Sequence, residues 1–245
     1  MTDPLVWFIL LMGAPVGSFM AALADRFCAG QSLWTPSRCA CCAARIAPYD
    51  LIPLASFVWL RGQCRECGAR LPWRLFAAEG LGVLCALIAI TATAGPVALC
   101  AAALLLWSLL GLALTDLRCF RLPDGLNALA FGAGLALAWA DPARTLPAAG
   151  VGAACGGGAL WALRWGYQRL RGREGLGLGD VKLAAVLGAA LGAAALPMLG
   201  LIASVLALAA AGLGLFGPAS RQTAVPFGLF LCLAGAVLFT LPVGF

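Results

Sequence analysis

Eight apolar stretches, most of them near 20 residues long and almost free of charge, limit what this chain can fold into. They run at 5–24, 75–94, 97–115, 125–140, 146–165, 181–196, 197–216 and 225–243. A helix needs roughly 20 apolar residues to cross a bilayer, and in lipid only helices or closed barrels satisfy their own backbone groups. Hydrophobic residues make up 63% of the chain, well above the roughly 45–50% of soluble domains. The expected fold is an all-α polytopic membrane protein with about eight transmembrane helices. The stretch 181–216 is too long for one crossing, and Pro197 offers the break. The first segment has no basic leading region and no convincing small-x-small cleavage site, and Asp3 precedes it. It is read as a retained span rather than a signal peptide.

The net charge of +6 reports orientation more than partners. Lys and Arg gather on the cytoplasmic side of membrane helices. Arg26, Arg38, Arg45, Arg61, Arg65, Arg70 and Arg74 follow the first span, and Arg118 and Arg121 the third. Arg164, Arg169, Arg171 and Arg173 follow the fifth, Lys182 opens the sixth, and Arg221 follows the seventh. With eight spans all of these fall on one side and only Arg144 on the other. That side is expected to be cytoplasmic, with both termini facing out. Arginines beside membrane spans argue against nucleic-acid binding.

Residues 25–74 differ in composition, carrying charge, prolines and paired cysteines. The expected division is a first span at 1–24, a cytosolic module at 25–74, and a seven-span membrane domain at 75–245. A module of about 50 residues is too small for a secure hydrophobic core. Cys39 and Cys42 form one C-x2-C pair, Cys64 and Cys67 another. This spacing is close to that of four-thiolate zinc ribbons, so a structural zinc is expected. Cys41 competes for a place in the first pair, and disulfides or free thiols are the other reading. A cytosolic location disfavours disulfides. Cys28, Cys85, Cys100, Cys119, Cys155 and Cys232 read mostly as small apolar fillers. No internal repeat is evident.

The chain has no histidine, which closes the Ser-His-Asp, Cys-His and His-x-Glu-zinc schemes. A carboxylate pair is the strongest acid–base device left. Asp116, in Thr115-Asp116-Leu117, ends the third span. Asp180, in Gly177-Leu178-Gly179-Asp180-Val181-Lys182, opens the sixth. Both fall at the expected cytoplasmic surface. Two carboxylates held close share a proton, so one takes a proton from water while the other donates to a carbonyl. The plainer reading is that Asp116 ends a helix and Asp180 caps one. Gly177 and Gly179 would let a substrate backbone approach Asp180. Asp124 reads as turn or cap chemistry, Asp50 and Glu66 as loop charges. Glu79 lies inside the second span, where it would pair with a basic residue or a substrate amine, or snorkel to the interface.

Taken together these motifs resemble the type IV prepilin peptidases, polytopic aspartic proteases of the GxGD type. Gly17-Ser18-Phe19 with Arg26 is similar to the family's first-span signature. The paired cysteines follow, with Asp50-Leu51-Ile52-Pro53-Leu54 and Leu60-Arg61-Gly62 between them. Thr115-Asp116-Leu117 through Leu122-Pro123-Asp124 resembles the first catalytic motif, Gly177 to Lys182 the second, and Pro226-Phe227-Gly228 the last-span motif. The resemblance implies cleavage of the short basic leader of prepilins and type II secretion pseudopilins, after a glycine, at the cytoplasmic face of a bacterial inner membrane. It implies Asp116 and Asp180 as the catalytic pair and Cys39, Cys42, Cys64 and Cys67 as zinc ligands. It further implies N-methylation of the new terminal residue with S-adenosylmethionine, Glu79 marking that region. The chain departs from the family pattern at Ala21 and Ala22, where an asparagine is usual. It departs again at Pro72-Trp73-Arg74-Leu75-Phe76, where a basic-aromatic-proline run is usual. Two other readings stand: a peptidase without methyl transfer, and a non-enzymatic carrier or scaffold with a zinc module. A carrier would place polar residues mid-span, and few are found there.

Overall fold

Proline or a capping side chain opens several of the long helices, where the missing N–H of proline does no harm. In α1 (Pro4–Cys28) the Asp3 side chain accepts from the Leu5 amide at 2.9 Å, and Thr145 does the same for Ala148 at the start of α6 (Leu146–Arg171). The computed structural model describes residues 3–39, 41–141, 144–172, 175–216 and 225–241. The remaining helices are α2 (Ala55–Trp59), α3 (Trp73–Ala92), α4 (Pro96–Cys119), α5 (Asp124–Ala140), α7 (Leu178–Leu191), α8 (Leu196–Gly212) and α9 (Phe227–Thr240). No strand occurs among the described residues, only two isolated β-bridges. The eight long helices fall on the eight apolar stretches. Five segments are long and apolar enough to cross a membrane, namely α1, α3, α4, α6 and 193–212; α5, α7 and α9 are shorter.

Small residues bring the helices together, as lipid-exposed bundles require. A Cβ on Gly17 would lie 2.2 Å from the Ala78 carbonyl oxygen, and one on Gly82 2.1 Å from that of Gly13, so α1 and α3 touch backbone to backbone. Gly152 and Gly188 do the same for α6 and α7. The most buried helix is α4, which packs against α1, α3, α5 and α9. Most side chains on the outer surfaces of α1, α3, α6 and α8 are apolar and exposed, as a lipid-facing surface must be.

Two helix boundaries differ from the sequence expectation. The turn between α7 and α8 is made at Gly192, whose φ of 82° suits glycine, whereas Pro197 sits harmlessly in the first turn of α8. Helix α6 continues past its apolar stretch to Arg171, so Arg164, Arg169 and Arg171 ride on a helix rather than a loop. Arginine is a good helix former, and only Gly172, at φ 67°, ends the run. Arg173 and Arg221 lie outside the described residues.

One end of the bundle gathers the end of α4 with the starts of α5, α7 and α9. Asp25 near the end of α1 pairs with Arg118 of α4 at 2.5 Å and with Arg74 of α3 at 3.3 Å. Cys28 and Cys119 are joined as a disulfide between the same two helices, with Cα atoms 5.7 Å apart. This corrects the expectation that both are apolar fillers. They are 91 residues apart in sequence, and only the meeting of the helix ends brings them together. At the opposite end Arg144 donates to the Ala190 carbonyl at 2.7 Å and lies over the Phe239 ring.

Candidate active site

Asp116 sits one turn before the end of α4 and is only 5% exposed. Its Oδ2 accepts the Leu229 amide at 2.8 Å, in the first turn of α9. Free amides and the dipole at a helix N-terminus favour a carboxylate there. The Thr115 hydroxyl turns back to the Gly111 and Leu112 carbonyls and stays within its own helix.

Asp180 is the third residue of α7, where it accepts from the Gly177 amide. That is half of a capping box, so the plainer reading of Asp180 holds locally. It does not exhaust the carboxylate. Oδ2 faces Gly177, whereas Oδ1 faces α9. A Cβ on Gly228 would lie 3.0 Å from Asp116 Oδ2 and 3.1 Å from Asp180 Oδ1, so these two oxygens are at most about 6 Å apart. The start of α9 is thus wedged against both carboxylates. The two expected site aspartates do meet, and the Pro226-Phe227-Gly228 motif is what they meet on.

A Cβ on Gly179 would press on Leu122 at 3.0 Å, so that glycine lets α7 close on the α4–α5 turn. Lys182 pairs with Asp124 at 2.5 Å, tying the start of α7 to that of α5. Both partners are exposed, so the pair adds little stability.

In the 25–74 module two knuckles share one form. Cys39 N–H bonds to the Ala44 carbonyl and Ala43 N–H to that of Cys39; Cys64 bonds to Ala69 and Gly68 to Cys64 in the same way. Ala43 and Gly68 take matching φ values of 57° and 67°. This is a repeat that the sequence reading did not find. Cys39, Cys42, Cys64 and Cys67 place their sulfurs within 4.8 Å of one another, with Cys39 and Cys67 at 3.8 Å. Four thiolates at about 2.3 Å from a zinc ion stand about 3.8 Å apart, so the cluster fits a tetrahedral metal. Cys41 is exposed and only its amide serves the site, donating to Cys39 Sγ at 3.4 Å. The Cys42 and Cys41 amides bring the Cys39 thiol down to about 6. For Cys67 the Ala69 amide lowers the thiol, but burial and the neighbouring sulfurs outweigh it and leave it at about 12. Asp50 and Arg65 form a two-bonded pair at 2.6 and 2.9 Å, and Arg65 lies over the Tyr49 ring. Hydrogen bonding from Arg65 holds the Asp50 carboxyl below its usual range.

Glu79 is 8% exposed on α3 and has no basic partner among the described residues. Its Oε1 accepts the Ser18 hydroxyl of α1 at 2.8 Å and its Oε2 the Leu54 amide of the module at 2.7 Å. Ser18 of the first-span motif thereby gains a role. Arg26 of the same motif donates to the Leu33 carbonyl and to Ser37 Oγ, ordering the chain that leaves α1. Ala21 packs in the buried face of α1. Between the module and α1 and α3 lies a cavity of about 140 Å³, lined in part by Ser18, Asp50, Arg65 and Glu79.

Residues 11–93 match the bacterial peptidase A24 N-terminal domain, and residues 103–214 the type IV leader peptidase family. The prepilin leader peptidase/N-methyltransferase of Dickeya chrysanthemi is 36% identical over 263 residues, covering 96% of this chain and 93% of its own. The chain belongs to the prepilin leader peptidase/N-methyltransferase family. The protein of that name from Burkholderia pseudomallei (strain 1026b) is 34% identical, covering 94% of this chain and 83% of its own. The one from Aeromonas salmonicida is 39% identical, covering 81% and 69%. No solved structure matches. In this member of the prepilin leader peptidase/N-methyltransferase family the first match holds α1, the module and α3, and the second holds Asp116 and Asp180. Gly228 and the start of α9 lie beyond both matched stretches.

Proposed function

We propose that this chain is a membrane aspartic endopeptidase that removes the short basic leader of prepilins or pseudopilins, after a glycine, and then N-methylates the new terminal residue. The observation that carries the peptidase reading is the convergence of Asp116 and Asp180 on Gly228, at the amides that open α9. One carboxylate, ionised, takes a proton from the attacking water. The other, protonated, donates to the carbonyl oxygen of the scissile bond. The pair titrates as a unit. The absence of a side chain at Gly228 leaves room for that water and carbonyl between them. The membrane is the bacterial inner membrane, with the module and both aspartates on its cytoplasmic side, in keeping with the distribution of Lys and Arg. Residues 75–245 form the peptidase domain.

The cavity between the module and the helices supports methyl transfer. Beside the Asp50–Arg65 pair, its carboxylates Glu66 and Glu79 and its rings Phe57 and Phe76 suit a cationic ligand. S-adenosylmethionine, when bound, supplies a methyl group on a sulfonium. The residues of this cavity would hold and orient it, and the stacked Phe57 and Phe76 rings, 4.9 Å between centroids, wall off water. Cys39, Cys42, Cys64 and Cys67 would hold a zinc ion that would join the two knuckles and serve structure rather than chemistry.

Incubation of membranes with a prepilin, followed by mass measurement of the product, tests the reading. Asp116→Asn and Asp180→Asn should each lower leader cleavage by about 10³-fold or more. Full cleavage by either variant refutes the pair. The same spectrum reads methylation: an unmethylated product in the presence of the cofactor refutes that half.

A further inference from the structure

The last turn of α4 carries Asp116 and then Cys119, whose bridge to Cys28 ties that turn to the end of α1. Both cysteines are half-buried, beside the exposed Phe27, Arg118 and Phe120, on the side that Lys and Arg mark as cytoplasmic. A bacterial cytoplasm is reducing, and the disulfides that form there are mostly transient, catalytic or redox-sensing. The junction accommodates either state. With Cα atoms 5.7 Å apart, the two cysteines need no backbone movement to be bridged. Both sulfurs also lie against the Thr115 carbonyl, Cys28 at 3.9 Å and Cys119 at 3.4 Å, so each thiol has an acceptor after reduction. Asp25 with Arg118 and Arg74 joins the same helix ends without the bridge.

The two states differ in how firmly the end of α4 is held. The bridge spans 91 positions, which include the whole module and α3, whereas partly exposed ion pairs hold weakly. Asp116 Oδ2 is bound to the Leu229 amide at 2.8 Å, so the last turn of α4 and the start of α9 are joined. Gly228 leaves room for the scissile carbonyl and the water, but the peptide on either side of them must slide in past those two ends. They must yield together to admit it, as active-site lids do. The turn already ends in a costly conformation. Phe120 caps it at φ 54°, left-handed for a residue with a side chain, and donates to the Asp116 carbonyl. Asp116 is thus followed by a strained cap that favours movement and, in the oxidised state, by a bond that forbids it.

We propose that Cys28 and Cys119 form a reversible thiol–disulfide switch that slows leader cleavage when oxidised, by clamping the last turn of α4 to α1. The switch rests on the proposed peptidase function, which it regulates. The oxidant is a low-molecular-weight disulfide of the glutathione type. One protein thiolate attacks it, forms a mixed disulfide and releases one glutathione thiolate. The second protein thiolate attacks the protein sulfur of that mixed disulfide, forms the Cys28–Cys119 bond and releases the other glutathione thiolate. Two protein thiols are oxidised, one glutathione disulfide is reduced to two thiols, and the two thiol protons pass to the glutathione. A small dithiol reverses both steps.

The test uses the full chain in nanodiscs, either reduced with dithiothreitol or treated with an excess of glutathione disulfide. Prepilin cleavage gives the rate, and mass mapping of alkylated peptides gives the state of each thiol. Oxidation is expected to join Cys28 to Cys119 and to slow cleavage at least about fivefold, with dithiothreitol restoring the rate. Cys28→Ser should cleave at the reduced rate under both treatments, although its other cysteines still meet the oxidant. Equal slowing of Cys28→Ser overturns the switch, because the effect then arises at other cysteines. A bridge that does not form overturns it too. Should Cys28→Ser fail to fold, Cys119→Ser isolates the pair from the other side. Cleavage by the reduced protein that oxidation leaves unchanged overturns the switch alone. No cleavage in either state overturns the peptidase reading and the switch with it.

Discussion

A single hydrogen atom at Gly228 keeps the candidate active site open. Adding a methyl group would put carbon 3.0 Å from Asp116 Oδ2 and 3.1 Å from Asp180 Oδ1. Asp116 cannot swing away freely, since Leu229 holds the same oxygen at 2.8 Å. Gly228→Ala is therefore expected to push the carboxylates apart and fill the space between them. Leader cleavage should fall by about 10²-fold, the usual effect of a misplacement near 1 Å. The thermal midpoint should barely move, because the backbone there is helical. Measured cleavage within about twofold of the unaltered protein would show that the methyl is accommodated. Asp116 and Asp180 were legible in the sequence, since carboxylates beside apolar runs are rare and a chain without histidine has few other acid–base groups. Gly228 was legible only as part of a motif. Its contact with Asp116 spans more than a hundred positions, and no local pattern encodes it. The signal available was Pro226 and a small residue at the start of an apolar run, which marks a helix N-terminus fit to receive an anion.

At the scale of elements, the two cysteine knuckles repay comparison. They have the same hydrogen bonds and the same left-handed residue after the second cysteine, glycine in one and alanine in the other. Alanine at φ 57° carries a strain that glycine does not, which is why sequence inspection passes over the first knuckle as a repeat of the second. The geometry also chooses among Cys39, Cys41 and Cys42, which spacing alone left open. Cys41→Ser should retain about one equivalent of zinc, whereas Cys42→Ser should drop below about half. Metal analysis of the purified proteins reads this directly, and loss of metal from both would place Cys41 among the ligands. The junction of α1 with α4 was hidden for the opposite reason. Its parts, Cys28 with Cys119 and Asp25 with Arg118, lie far apart in sequence and follow no motif. In a reducing compartment the cysteines stand as thiols, and the Asp25 ion pairs with Arg118 and Arg74 still join the three helix ends.

At the scale of the whole molecule, the apolar stretches coincide with the eight long helices of the described residues, five segments of which are long and apolar enough to cross a membrane. The middle of the module, which its charge and cysteines mark as cytosolic, is bound to Glu79, about 9 Å along α3 from its first residue. Close to that contact Ile52, Val58 and Trp59 are exposed, Trp59 at 84%. Apolar side chains clustered on so small a module need a cover, and lipid is the cover expected. Trp34, 94% exposed, serves as the contrast, since it lies beyond the end of α1, past Cys28. In nanodiscs containing brominated lipid, Trp59→Phe should remove a share of the fluorescence that the bromines quench. Trp34→Phe should remove a share quenched by aqueous iodide instead. If iodide reaches both, the segment stands in water and the bond between Leu54 and Glu79 must form at the membrane surface. If bromine reaches Trp59 alone, the apolar face of the module is pressed into the lipid interface, and the bond between Leu54 and Glu79 holds it there.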